Sequence, residues 1–302
     1  MIQLSGIFPP IPTPFHADGS LDLTALEENA CWWRTVGCSG VVVLGSNGEY
    51  VALREHEKLA MIQRTRELFS PDQLVIAGTG AESTVETIDL CRAAATCGAD
   101  AVIVVTPHYY RSRMDAAALL AYYRAVADAS PLPVLLYNVP ANTGIDMPPD
   151  IVLQLSVHPN IVGIKDSSGN MPALAEVLRQ RPPDFAVFAG SASFLLPALA
   201  LGADGAIVAL ANIAPQETVA LYRAFCAGNM VEARRLQLRL LPLNVAVTSR
   251  WGVPALKAAL TLLGHAGTYP RSPLLPLGAS EYQQLQHILQ EADLLERVVH
   301  ER

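Results

Sequence analysis

The sequence predicts an α/β fold, a (β/α)₈ TIM barrel followed by a C-terminal helical extension. Short apolar runs rich in Val and Ile recur close to eight times, and a polar turn and a segment of helical period follow each one. Most runs lack polar/apolar alternation, as expected of parallel strands covered on both faces. About eight such units in roughly 210 residues favour closure over an open doubly wound sheet, which periodicity alone does not exclude.

The eight predicted strands all lie before residue 212. They are residues 7–12, 41–44, 74–77, 101–105, 134–137, 161–164, 186–189 and 206–209. Amphipathic helices are predicted between them, and two show the pattern clearly. One follows the potential cap Ser20 and the other follows Asp115. Their apolar faces comprise Leu23, Leu26, Ala30 and Trp33 in the first and Leu119, Tyr123 and Val126 in the second.

Beyond about residue 212 only helices are predicted. The first opens at Pro215, the second carries Met230 and Leu240, the third lies between Pro254 and Gly264, and Ser280 caps the fourth. No linker-like composition precedes this region. We therefore expect residues 1–211 to form the barrel and residues 212–302 to pack on it as part of one structural unit.

Composition and charge favour an enzyme that acts on small molecules. The chain of 302 residues is 51% hydrophobic and 16% charged, as expected of a compact protein, and a large subunit interface would fit the low charge. The net charge of -7 is spread without acidic or basic blocks. This distribution offers no electrostatic footprint for nucleic acid or an anionic membrane, so neither is an expected partner.

Neither a metal nor a nucleotide cofactor is predicted. The five cysteines show no CxxC spacing, and the seven histidines show no HxxxH pair or facial triad. A complete dinucleotide fingerprint and a Walker motif are both missing. The first residues have neither the basic nor the apolar part of a signal peptide, and no apolar stretch is long enough to span a bilayer. A cytoplasmic protein with reduced thiols is expected.

Lys165 is the strongest candidate for chemistry. It ends the apolar run 161–164, and a lysine is rarely buried without a reason. The carboxyl end of a barrel strand faces the active-site mouth, where desolvation favours the neutral amine. Such an amine can attack a carbonyl and form an imine. The structural alternative is a lysine that pairs with a carboxylate or extends its end to solvent.

Three further segments could supply the rest of a site. Tyr137 ends the preceding strand, so its phenol could carry protons beside Lys165, although alone it would more often be a packing residue. The loop Gly45 to Glu49 could cradle a carboxylate with its backbone amides and the Ser46 hydroxyl, a weak signal by itself. The loop 106–111 is aromatic and polar and suits either a site or an interface.

Four motifs in order, GSNGE from residue 45, VVTPHYYR from 104, YNVPANTG from 137 and GIKDSSG from 163, resemble the dihydrodipicolinate synthase and N-acetylneuraminate lyase family over nearly the whole chain. Within the family, ALANI and PLNVAVTSRWGVPALK look most like enzymes that cleave 4-hydroxy-2-oxoglutarate. The resemblance implies a class I aldolase that needs no cofactor and produces pyruvate and glyoxylate.

The resemblance also implies roles for single residues. Lys165 would form the imine, Tyr137 would shuttle protons, and Ser46 would link Tyr137 to a tyrosine from a neighbouring subunit. That tyrosine would be Tyr109, with Tyr110 as second choice, in a homotetramer built as a dimer of dimers. The implied substrate-binding residues are Asn47, Gly45, Gly48, Ser167, Gly190, Asn142 and Ile207.

Asn142 is a departure that bears on the substrate. Dihydrodipicolinate synthases usually carry Arg at this point of the motif, and Asn cannot replace its bidentate, permanently charged contact with a carboxylate. Lysine biosynthesis is therefore demoted but remains an alternative, as does cleavage or dehydration of a longer 2-oxo sugar acid. A further alternative is a non-catalytic sensor of 2-oxo acids, against which the joint presence of Lys165, Tyr137 and Ser46 argues.

Overall fold

An eight-stranded parallel sheet forms the centre of the computed structural model, which describes residue 2 and residues 4–295. Neighbouring strands pair in chain order from β2 to β8, and β8 pairs with β1, so the predicted barrel is confirmed. The strands are β1 (Gly6–Phe8), β2 (Gly40–Val43), β3 (Leu74–Gly78), β4 (Ala101–Val105), β5 (Val134–Asn138), β6 (Ile161–Asp166), β7 (Ala186–Ala189) and β8 (Gly205–Ile207).

The barrel closes between β1 and β2 through the segment that follows β1. The Val42 amide donates to the Pro9 carbonyl at 3.0 Å, and the Val42 carbonyl accepts from the Ile11 amide at 2.9 Å. The predicted extent of the first strand, 7–12, is wrong at its end, because β1 stops at Phe8. Pro9 and Pro10 have no N–H to continue a regular ladder.

Helices follow every strand and surround the barrel. After β5 the chain forms two of them, and α9 follows β8 and contacts β1. The helices are α1 (Leu23–Trp33), α2 (Glu55–Leu68), α3 (Thr84–Thr96), α4 (Ala116–Ala129), α5 (Pro140–Thr143), α6 (Pro149–Ser156), α7 (Met171–Gln180), α8 (Leu195–Ala200), α9 (Pro215–Cys226), α10 (Met230–Val245), α11 (Gly252–Leu262) and α12 (Ala279–Glu291).

Two of the three predicted helix caps are corrected. The Asp115 carboxylate accepts from the Ala118 amide and caps α4 as predicted. Asp22, not Ser20, caps α1, because the Ser20 hydroxyl donates to Asp18 while the Asp22 carboxylate accepts from the Ala25 amide. The cap of α12 is Gly278, so Ser280 already lies in its first turn. Asp18, Ser20 and Asp22 are all short polar residues near the start of α1, and only the backbone geometry shows which of them is the cap.

Apolar residues pack on both faces of the sheet. One cluster fills the barrel interior and includes Phe8, Tyr137, Phe188 and Ile207, and a larger one lies between the strands and the helices. Strands β2, β4 and β5 are buried along their whole length, as the missing alternation predicts. At the β1–β8 seam Gly205 is required, since a Cβ there would lie 2.0 Å from the Gly6 carbonyl oxygen.

Helices α9 to α12 follow the last strand and pack against one another in pairs, α10 with α9 and α12 with α11. The division into residues 1–211 and 212–302 stays a prediction, and residues 296–302 lie outside the described part of the chain. No helix within that part combines the length and the apolar character needed to cross a bilayer.

Candidate active site

Lys165 and Tyr137 lie side by side at the carboxyl ends of β6 and β5. Their Cα atoms are register partners, and the lysine Nζ is 4.2 Å from the centre of the tyrosine ring. Lys165 is only 4% exposed, so its end does not reach solvent. Among the described residues no carboxylate pairs with it. Neither structural explanation for a lysine at a strand end applies, which leaves an amine available for chemistry.

The Tyr137 hydroxyl lies 3.2 Å from the Ser46 hydroxyl, so the two form a hydrogen bond. Burial alone would raise the pKa of Tyr137, but the positive charge of Lys165 and the hydrogen bond with Ser46 outweigh burial, and the net effect lowers this pKa. A phenol that releases its proton more readily is better suited to general acid–base work. The predicted neighbours Lys165, Tyr137 and Ser46 are thus brought together.

The loop that carries Ser46 is a one-turn 3₁₀ helix, Ser46–Gly48, and it is firmly held. The Thr13 hydroxyl donates to the Gly48 carbonyl at 2.6 Å. Glu49 follows in the left-handed conformation, with φ 54°, and its carboxylate pairs with Lys257 of α11 at 2.6 Å. Sequence reasoning missed this buried pair. The available signal was Lys257 itself, a single charge in the apolar run VPALKAAL.

Ser167 directly follows β6, the strand of Lys165, and Gly190 directly follows the neighbouring strand β7. The Gly190 amide donates to the Asp166 carbonyl at 2.6 Å, and a Cβ at residue 190 would lie 2.0 Å from the Ser167 Oγ. The Ser167 hydroxyl is near enough to Tyr137 to help lower its pKa. It is buried, yet it forms no hydrogen bond of defined geometry with the described residues. It therefore remains available to a bound ligand.

A cleft of about 300 Å³ opens beside Ser46, the hydrogen-bond partner of Tyr137. It is lined by Ser46, Tyr50, Val51, Val105, His108, Val139, Asn142 and Thr143. Among the predicted binding residues, Ser46 and the exposed Asn142 therefore lie on its wall, while Ile207 is fully buried inside the barrel. Asn47 is half-buried beside Ser46. The sequence reading did not single out Tyr50 or His108, although His108 falls within the polar aromatic loop 106–111.

Tyr109 and Tyr110 lie outside the cleft. They are 77% and 70% exposed, and their rings meet edge to face with centroids 5.0 Å apart. The Tyr109 amide donates to the Glu82 carboxylate at 2.8 Å, which fixes the backbone but not the ring. Within one chain neither tyrosine is among the residues that line the cleft with Ser46.

Comparison with known proteins gives matches over the whole barrel. The profile of the Dihydrodipicolinate synthetase family matches residues 3–292. The 4-hydroxy-tetrahydrodipicolinate synthase of Methanothrix thermoacetophila is 39% identical, over 94% of this chain and 95% of its own. A probable mitochondrial 4-hydroxy-2-oxoglutarate aldolase of Emericella nidulans is 38% identical, over 97% and 96%. The structure of YagE from E. coli K12, in complex with pyruvate, has a TM-score of 0.92 at 34% identity, covering 97% of this chain and all of that one.

The barrel and its matches define the chain as a lyase of the Schiff-base-forming, pyruvate-dependent class. The chain belongs to the Dihydrodipicolinate synthetase family, which confirms the resemblance drawn from its four motifs. A synthase and an aldolase match with nearly equal identity, so the choice of substrate has to be argued from the site itself.

Proposed function

We propose that this enzyme cleaves 4-hydroxy-2-oxoglutarate to pyruvate and glyoxylate through an imine on Lys165. The observation that carries the proposal is the environment of that lysine. It is buried at the end of β6 without a carboxylate partner among the described residues, and its Nζ lies 4.2 Å from the ring of a tyrosine whose pKa is lowered. Burial and an adjacent acid–base group are the conditions that an imine-forming lysine needs.

The proposed reaction uses only groups of the protein. Lys165 gives a proton to the Tyr137 phenolate, and its neutral amine attacks C2 of the oxo acid. Tyr137 returns this proton to the C2 oxygen, which leaves as water, and the products are a protonated imine and the Tyr137 phenolate. Tyr137, as phenolate, takes the proton of the C4 hydroxyl, the C3–C4 bond breaks, and the electron pair moves to the imine nitrogen to form an enamine. Glyoxylate leaves, C3 is protonated, and water hydrolyses the imine to release pyruvate. The protonated imine supplies the electron sink, so no external cofactor is required.

The carboxylate next to the imine would be held by the loop that contains Ser46 and Asn47. The first turn of a helix leaves backbone N–H groups without intrahelical partners, and these can donate to an anion. Gly45 and Gly48 flank Ser46 and Asn47 in this loop, and the Ser167 hydroxyl and Gly190 would border the bound acid on the other side. Ile207 would close the pocket from below.

Asn142 favours the aldolase over the alternatives. Its side chain is exposed at the cleft, where it presents an amide and no charge. A 4-hydroxy-tetrahydrodipicolinate synthase remains the second candidate because a relative of that name is 39% identical. The two candidates are distinguished by comparing kcat/KM for 4-hydroxy-2-oxoglutarate with kcat/KM for pyruvate plus aspartate semialdehyde. A higher value for the second reaction would show that the enzyme is a synthase and not the proposed aldolase.

Borohydride reduction in the presence of pyruvate tests the imine. We expect a pyruvate-derived mass on the peptide that contains Lys165, together with loss of activity. The Lys165→Ala variant should take up no such mass. An unmodified peptide with full activity retained would refute the imine. If pyruvate is trapped on Lys165 but 4-hydroxy-2-oxoglutarate releases no glyoxylate, the imine stands and this substrate is excluded. Release of glyoxylate also rules out a non-catalytic sensor.

The assembly and location are part of the same proposal. We place the enzyme in the cytoplasm as a homotetramer, a dimer of dimers in which Tyr109 enters the site of a neighbouring subunit. The exposure of Tyr109 and its distance from the cleft of its own chain support the sharing. The five free cysteines support a reducing compartment.

A further inference from the structure

The cleft beside Ser46 has one wall residue whose side chain can carry a positive charge. A dicarboxylic 2-oxo acid brings a second negative charge, at the end that lies away from the imine, and this charge needs a partner in the cleft. Of the eight lining residues, His108 is the one whose side chain can carry a positive charge. Burial, assisted by Tyr137 and Glu82, raises the pKa of Tyr50 to about 12, so this neighbour stays a neutral phenol.

Glu82 fixes the orientation of His108. Its carboxylate accepts from the backbone amides of His108 at 3.0 Å and Tyr109 at 2.8 Å, and it lies 3.1 Å from the imidazole Nδ1. The Thr106 carbonyl lies 3.3 Å from the same nitrogen. The two contacts at Nδ1 hold the ring plane, and Nε2 has no partner among the described residues.

We propose that His108, oriented by Glu82, binds the distal carboxylate of a dicarboxylic 2-oxo acid and so selects such acids over monocarboxylic ones. As an imidazolium the ring would donate from both nitrogens, from Nδ1 to Glu82 and from Nε2 to the substrate. The proposal deepens the aldolase assignment and rests on it, since the group bound is the carboxylate that leaves in glyoxylate. It also explains how the cleft recognises a diacid although Asn142, which lies on its wall, carries no charge.

Arg111 is a cation three residues after His108 in the chain. Its guanidinium packs against the turn after α5, where its Nη1 would lie 3.1 Å from a Cβ at Gly144. Among the described residues it has no acidic partner, but it is not part of the cleft lining. Arg111 therefore serves as the matched control, since it is a neighbouring cation outside the cleft.

Borohydride trapping of two oxo acids of equal chain length tests the proposal. The probes are 2-oxoglutarate and 2-oxopentanoate, which differ in the distal carboxylate. We expect 2-oxoglutarate to half-saturate the wild-type enzyme at a concentration about ten-fold or more below the one that 2-oxopentanoate requires. His108→Asn and His108→Gln should abolish this preference by weakening 2-oxoglutarate alone. Arg111→Gln should keep it, and Glu82→Gln should reduce it in part.

Each other outcome overturns the assignment. Equal trapping of both acids by the wild-type enzyme would show that no distal carboxylate site exists. A preference that survives in both His108 variants, or that disappears in Arg111→Gln, would place the site elsewhere. Trapping of pyruvate at Lys165 shows whether a variant retains its folded site. If neither His108 variant traps pyruvate, the preference measured with Glu82→Gln tests the proposal instead. Because 2-oxoglutarate is trapped and not cleaved, a failure to release glyoxylate from 4-hydroxy-2-oxoglutarate leaves this result standing.

Discussion

Two electrostatic effects oppose each other at Tyr137. Its side chain is buried, which disfavours the phenolate, while the positive charge of Lys165 and the hydrogen bond with Ser46 favour it more strongly. The charge on the lysine therefore prepares the tyrosine to accept a proton. Because imine formation keeps a positive charge on the same nitrogen, the same arrangement would serve the later steps.

Removing the hydroxyl of Ser46 should shift the pH dependence of kcat, and removing the hydroxyl of Tyr137 should lower kcat itself. In Ser46→Ala the pKa of Tyr137 rises, because a contact that stabilises the phenolate is lost. The ascending limb of the kcat profile should then move to higher pH. Tyr137→Phe should lower kcat about 10²- to 10⁴-fold. Steady-state glyoxylate release across a pH series measures both effects.

Ser20→Ala provides the control, since the Ser20 hydroxyl contacts Asp18 in an exposed loop. Its profile should coincide with that of the wild-type enzyme. If Ser46→Ala has the same profile, the hydroxyl does not tune the tyrosine.

Gly190 should not tolerate a methyl group. In Gly190→Ala the new Cβ would lie 2.0 Å from the Ser167 Oγ and 2.7 Å from the Asp166 carbonyl oxygen, so the end of β6 that carries Lys165 has to shift. We expect a loss of about 1–3 kcal/mol in the free energy of unfolding, measured in urea, and reduced trapping of pyruvate. In Gly45→Ala the nearest atoms would be 3.7 and 3.8 Å away, so its stability should stay close to that of the wild type. Equal stability of the two variants would contradict the argument.

At the scale of elements, a buried ion pair ties the loop after β2 to helix α11. The Lys257 ammonium contacts the Glu49 carboxylate at 2.6 Å and donates to the Thr13 and Tyr269 carbonyls at 2.7 and 2.6 Å. Burial lowers the pKa of Lys257 although Glu49 favours its charge. The helical region is thus in direct contact with the loop that carries Ser46 and Asn47.

Breaking this pair should destabilise the protein and disturb the loop together. Lys257→Met leaves the Glu49 carboxylate buried without its counter-charge, which costs about 3–5 kcal/mol in the free energy of unfolding. Urea unfolding and steady-state kcat measure the two effects. The control is Glu232→Gln, whose pair with Arg235 lies at the surface and should leave the urea midpoint unchanged. A Lys257→Met variant as stable as this control would show that the pair contributes nothing.

At the scale of the whole molecule, large apolar side chains are exposed beside the proposed site. Val51 and Tyr109 are 74% and 77% exposed, and they border adjoining clefts, of which one is the proposed site. Exposed apolar side chains of this kind are typical of a subunit interface, and in the proposed tetramer a neighbouring copy would cover them.

Subunit mixing tests whether Tyr109 is shared. Lys165→Ala and Tyr109→Phe should each be nearly inactive alone. After exchange, a site that combines the intact lysine of one subunit with the intact tyrosine of the other should recover part of the activity. Size-exclusion chromatography of differently tagged subunits verifies exchange. Proven exchange without recovered activity would mean that each chain supplies its own relay or needs none.

The sequence by itself determined the barrel, its eight strands, the lysine and tyrosine at neighbouring strand ends, and the family. Apolar periodicity is a local property, and parallel strands in chain order bring their ends together without further information. Only the tertiary structure decided that Asp22 caps α1, that Glu49 pairs with Lys257, and that Glu82 orients His108. These contacts depend on the hydrogen-bond geometry of competing side chains or on distances between residues far apart in the chain, and no local pattern encodes either of them.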